Sequence, residues 1–257
     1  MTAFIAIGRV TIKQTLRLRR AIGLLLLAGA PAFMYLMAVL STRGNLEFSD
    51  ENAFEAFVGI TIGTFMNIAV PVVTLIIATS VLGDERRDNT MSFLVLRPVS
   101  RYTIAAAKIF AAFVETFAVT GIGALALSLI AAFRLDDFRY IAPLLAGTAV
   151  ATAAYAAVFV PLGYLLKRAT LIGLSYVFIW ENGIGAAVPA VAGISPWRIG
   201  LSATTGLAPE RFVDELPTFA TGSITPGAGG AALKALVLFA ISVGFISVFL
   251  RNRDLAN

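Results

Sequence analysis

Apolar and polar positions fall in long blocks along this chain rather than in short alternation. Six apolar runs cover residues 21–41, about 56–82, about 103–133, about 141–166, 169 to about 192 and about 231–250. Each approaches or exceeds the roughly 20 residues that a helix needs to cross a bilayer core of about 30 Å. The pattern predicts an all-α membrane protein, with one transmembrane domain of six transmembrane helices over residues 1–257. Pro71 lies near the middle of the second run and predicts a kink there. The third run is long enough to protrude from the membrane. Glu181, Asn182 and Pro189 interrupt the fifth. Ala28-Gly29-Ala30 has the form of a signal cleavage site, but Pro31 follows at once and the apolar run continues to Leu40, so 21–41 reads as a span.

The polar blocks carry the rest of the pattern. In residues 3–20, Arg9, Lys13, Arg17 and Arg20 recur at helical spacing and form one stripe, with Phe4, Ile7, Val10 and Leu18 broadly opposite. That predicts a helix lying along one leaflet beside anionic head groups. Residues 195–230 hold four prolines and a cluster of glycines. They read as an outer loop with short helices, one of them around Pro209–Leu216 with Pro209 in its first turn.

Charge sets the orientation. The N-terminus, the 83–108 region, Lys167-Arg168 and the C-terminus together carry fourteen Lys and Arg; the opposite side carries six. The excess marks the first side, with both termini, as cytoplasmic. The acidic residues Glu47, Asp50, Glu51, Glu55, Asp136, Asp137, Glu210, Asp214 and Glu215 fall on the other.

Composition agrees. The chain is 58% hydrophobic and 14% charged, against about 45–50% and about 25% for a soluble domain. It has no Cys and no His. That excludes disulfides, thiol nucleophiles, imidazole bases and the usual zinc sites. No Gly-x-x-x-x-Gly-Lys-Ser/Thr phosphate loop is present. The chain is therefore not expected to be an enzyme, or to hold a cofactor or metal of its own.

The segment between the second and third runs is the most informative. Gly83 ends the second span, and Asp84, Glu85, Arg86, Arg87 and Asp88 are too charged for hydrocarbon. Asp88, Asn89 or Thr90 is placed to cap a short helix, Met91, Phe93, Leu94, Val95 and Leu96 are apolar, and Pro98 stops it. Ser100 is placed to cap the third span, with Arg101 and Lys108 at its start. An apolar patch flanked by charges is a candidate protein contact or a helix in the head groups.

This segment resembles the loop between the second and third spans of the ABC type-2 permeases, the six-span membrane subunits of ATP-binding-cassette transporters. The resemblance rests on Glu85, Arg86-Arg87, Asn89-Thr90, Met91–Leu96, Pro98-Val99-Ser100-Arg101 and Lys108. Asn89 stands where the family usually has Gly. The resemblance implies a coupling helix that docks into an ATPase subunit, with Met91, Phe93, Leu94 and Leu96 as apolar contact. Glu85, Arg86, Arg87 and Arg101 would be polar rim or end anchors. It further implies two ATPase subunits that hold ATP and Mg, a second permease copy or related permease, and a bacterial inner membrane. Export of an amphipathic or hydrophobic substrate is expected, with no nucleic-acid partner.

Two carboxylates lie within spans, where a charge costs about 2.5–3.5 kcal/mol on insertion scales. Glu115 is seven residues beyond Lys108 on the same helix face, with Ala111, Ala112 and Ala118 nearby. Glu181 is thirteen residues from Arg168, about 20 Å along a helix, and adjoins Asn182. Each reads either as a pathway or proton-carrying group, or as a hydrogen-bonded pin between helices. Asn67 is a weaker case. In the resembling family a Glu here sits where the fifth span gives way to outer re-entrant helices near an external gate. The alternatives are an ion-coupled secondary transporter using Glu115 and Glu181, or a non-transporting membrane anchor subunit.

Overall fold

The computed structural model describes residues 2–15, 18–41, 49–87, 99–184, 193, 195–217, 220 and 227–254. Nearly all of them are helical, and no strand occurs among them. Helix α1 is Thr2–Thr15 and α2 is Leu18–Ser41. Helix α3 runs over Asp50–Arg87, α4 over Arg101–Leu135 and α5 over Ile141–Leu165. Helix α6 is Ala169–Ser175, continued by π-helical turns over Tyr176–Ile184. Helices α7 (Pro196–Thr205) and α8 (Glu210–Asp214) are short, and α9 is Ala228–Asp254.

Five helices among the described residues are long and apolar enough to cross a membrane: α2, α3, α4, α5 and α9. The protein is a multi-pass membrane protein. The fifth apolar run is described only in part. Its described helix is short, and residues 185–192, with Pro189, lie outside the described residues.

Helices α3 and α5 form the centre, and α2 and α9 lie at the periphery with Leu26, Phe33, Leu236 and Ile241 exposed. Apolar outer faces suit lipid, and the centre packs by close backbone approach. A Cβ at Gly163 on α5 would stand 2.3 Å from the carbonyl oxygen of Thr79 on α3. A Cβ at Gly123 on α4 would stand 2.3 Å from that of Ala28 on α2. Only glycine permits these crossings.

At Pro71 the helix changes register. The nine residues upstream, Thr61–Ala69, take π-helical register, and the N–H of Val70 bonds the carbonyl of Phe65, five residues back. Proline has no N–H and crowds the carbonyl four residues before it. Widening the helix there accommodates the ring without breaking a helix that continues to Arg87.

Residues 196–205 form one of the short helices expected in this segment, and the helix is buried: Pro196 to Leu201 are inaccessible, and α7 packs between α5 and α9. Gly200 faces Ala151, and Gly147 faces Thr204, at distances that admit no added Cβ. Arg198 is buried, with its guanidinium 5.3 Å from the Trp197 ring. Pro209 is the N-cap of α8, one position before the first turn.

The end of the bundle away from residues 83–101 is closed by aromatic rings. Phe57 packs against Tyr35, Phe54, Tyr140 and Phe212, with centroids 5.8–6.4 Å apart. The Arg211 guanidinium covers Phe54 at 4.2 Å. Asp136 turns the chain there at φ 52°, a left-handed conformation that Asp tolerates better than most residues.

Candidate functional site

Two groups of polar side chains stand out in the bundle. The first surrounds the roots of the charged segment. Its apolar members Met91, Phe93, Leu94 and Leu96, with Pro98, lie outside the described residues. Both flanks are described.

Glu85, in the last turn of α3, forms an ion pair with Lys108, two turns into α4. The lysine side chain is 2% exposed and the glutamate 12%. A lysine this deep is sustained by its partner, because an unpaired ammonium there is costly. Glu85 is thus turned into the bundle. Its neighbour Arg86 donates from one Nη to the carbonyl oxygens of Tyr164 and Leu165, each at 2.8 Å. These are carbonyls that the C-terminal end of α5 leaves without helical partners, and a cation suits that end of a helix dipole.

Arg87 is exposed and pairs with Asp84 one turn away. Ser100 caps α4, its hydroxyl oxygen accepting from the Thr103 N–H at 3.1 Å, as its position predicted. Arg101 opens that helix, half-buried. On the other side of α3, Arg20 of α2 donates to the Ile76 carbonyl and, at 3.0 Å, to Ser80 Oγ. The segment therefore springs from two helices that are ion-paired to each other and tied to α5 and α2. Nothing in the sequence pointed to Arg20 beyond its place in the basic stripe.

The second group centres on Glu181, 6% exposed, in the π-helical continuation of α6. Tyr155 of α5 donates its hydroxyl proton to one carboxylate oxygen. Ser195 donates to the other at 2.8 Å, and the Trp197 N–H approaches the same oxygen at 3.4 Å. Ser195 and Trp197 form the N-terminus of α7, so the carboxylate also lies at the positive end of a helix dipole. Tyr155 is held by stacking on Phe159, at 5.4 Å and 21°. One carboxylate thus joins three elements. Tyr155, Ser195 and Trp197 carry no sequence signal of this role, since they come from an apolar run and a proline-rich segment.

Glu115 is 2% exposed on α4, and Thr116 beside it is fully buried. Asn67 is half-buried within the π segment of α3. Asn182 continues the π turn after Glu181.

No curated protein sequence matches the chain. A family model described as "ABC-2 family transporter protein" matches residues 15–179. That match spans α2 to α5 and most of α6, includes the Glu85–Lys108 pair and the Arg86 cap, and covers well over half the chain. With its multi-pass helical bundle, the chain belongs to the ABC-2 transporter family.

Proposed function

We propose that this protein is the permease subunit of an ATP-driven transporter, coupled to separate ATPase subunits through residues 84–101. The observation that carries the proposal is the anchoring of that segment. A force applied to it acts on α3 through the Glu85 backbone. It acts on α4 through the buried Lys108 pair and on α5 through the Arg86 cap. A flexible tether would transmit nothing; a segment rooted in three packed helices moves them as a body.

On this reading two ATPase subunits supply ATP and Mg, and this chain does no chemistry. Met91, Phe93, Leu94 and Leu96 enter a cleft of the ATPase, and Arg87 and Arg101 rim it. A second permease copy or a related chain completes the pathway. Both termini are cytoplasmic in a bacterial inner membrane. An apolar bundle with few intramembrane charges suits export of an amphipathic or hydrophobic substrate. Glu181 then acts as a pin between α5, α6 and α7. Its two oxygens are already engaged, which favours this role over ion carriage.

The test is a mild-detergent pull-down from native membranes, with bound proteins identified by mass spectrometry. A stoichiometric phosphate-loop ATPase, lost when residues 88–98 are scrambled, is the expected result. A folded chain that brings down no ATPase overturns the proposal.

A further inference from the structure

A cavity of about 500 Å³ opens at the 83–101 end of the bundle, between α2, α3 and the α5–α6 turn. Its volume lies in the range of small-molecule sites, roughly 300–1,000 Å³. Four cations line it: Arg20, Arg86, Arg87 and Lys167. Asp84 is the only acid among the described residues of the lining. The hydroxyls of Thr79, Ser80 and Thr170 line it as well, with Thr79 Oγ1 and Thr170 Oγ1 3.4 Å apart. Gly83 and Gly163 form part of the wall, and their close approach keeps that part free of side chains.

The cations are placed rather than merely numerous. Arg20 and Arg86 each use one guanidinium nitrogen for the bonds described above. A guanidinium carries five N–H donors, so each keeps donors for a further acceptor. Their bonds to backbone carbonyls fix them in place, and those carbonyls do not neutralise them. Three positive charges remain after Asp84 is set against one. Fixed guanidinium forks, an ammonium and hydroxyl donors around one hollow match the oxygens of a phosphate group. The hollow exceeds what a lone ion fills, and it lies where the apolar helices end.

We infer that this cavity binds the phosphate head group of an anionic phospholipid, seated between α2, α3 and α5 with its acyl chains along the outer faces of the bundle. This site borders the proposed ATPase contact and shares Arg87 with it, but its test reads lipid binding to the chain alone and does not depend on an ATPase. A lipid held there bridges Arg20 on α2 to Lys167 on the α5–α6 turn, elements with no direct polar bond described between them.

The experiment is native mass spectrometry of the full chain, titrated with phosphatidylglycerol and, separately, phosphatidylcholine. Thermal unfolding with inorganic phosphate runs in parallel. The expected result is a single phosphatidylglycerol bound about tenfold more tightly than phosphatidylcholine, as charge-assisted contacts provide. That preference is lost in Arg20→Gln and in Lys167→Glu. Lys167 is exposed, so the second variant remains informative if the first fails to fold. Stabilisation by inorganic phosphate without any lipid preference overturns the lipid as the source and leaves a phosphate-bearing solute. Equal binding of both lipids with no phosphate effect, or an unchanged preference in both variants, overturns the site.

Discussion

Glu85 and Lys108, 23 residues apart in sequence, form a buried ion pair that joins the end of α3 to the start of α4. The segment proposed to meet the ATPase lies between them. The pair closes that loop at its base, so the two helices entering and leaving it move together.

Lys108→Met leaves the Glu85 carboxylate buried without its cation, and Glu85→Leu does the converse. Removing one partner of a buried pair costs about 3–5 kcal/mol. Each single variant is expected to unfold at a clearly lower temperature in detergent. The double variant, with apolar groups at both positions, recovers most of the loss. Transport-coupled ATPase stimulation stays low in the double variant even as stability returns. Full recovery of stimulation would show that the loop needs no tie at its base.

Arg86→Ala removes two hydrogen bonds from the end of α5. Bonds to a charged donor contribute about 1.5–3 kcal/mol each at most, and less where the arginine is partly exposed. Amide exchange over residues 162–168 is expected to accelerate, with the middle of α5 unchanged. Uniform exchange across α5 would remove the capping role.

Gly163→Ala forces α5 away from α3, because the new Cβ meets the Thr79 backbone rather than a movable side chain. Overpacking of this kind costs about 1–3 kcal/mol. Gly229→Ala, at a position with open space around it, serves as the control and is expected to change thermal unfolding little.

Glu181→Gln keeps a carbonyl oxygen to accept from Ser195 or Tyr155, whereas Glu181→Ala keeps none. A pin between helices predicts that Gln retains much of the stability and transport that Ala loses. Tyr155→Phe is expected to lose little further stability in the Glu181→Ala background, since the bond is already gone. A titrating ion carrier predicts the other ranking, with Gln as inactive as Ala and transport dependent on the proton gradient.

Asp137 receives the Arg139 backbone N–H at 3.0 Å and its guanidinium. Chiefly through that side-chain bond, Arg139 holds the Asp137 carboxyl below its usual range. A folded-state value lowered in this way adds stability above the unfolded value, about 3.9. That stability disappears as pH falls through the lower folded value. Arg139→Gln is therefore expected to unfold more easily than the parent chain at pH 7, with the difference shrinking below about pH 4. The pair is solvent-facing, so the effect is small.

Much of the architecture is legible in the residues because a bilayer imposes one rule, that a spanning backbone must satisfy its own hydrogen bonds. Apolar length alone therefore located α2, α3, α4, α5 and α9 to within a few residues. Ser100 was readable as a cap because its chemistry is local. The charged segment carries apolar residues flanked by charges, a pattern that reads as a contact site, and its apolar centre lies outside the described residues. Tertiary structure decided what local rules do not reach. It placed Lys108 against Glu85 and Arg86 on the end of α5, pairings that depend on how α3, α4 and α5 cross. It buried α7 despite its polar and small residues, because Gly147, Ala151 and Gly200 let two backbones come close enough to exclude water. It also put nine π-helical residues, Thr61–Ala69, upstream of Pro71. Hydropathy is summed along one helix, while these contacts form between helices, and only the assembled bundle sets which side chains meet.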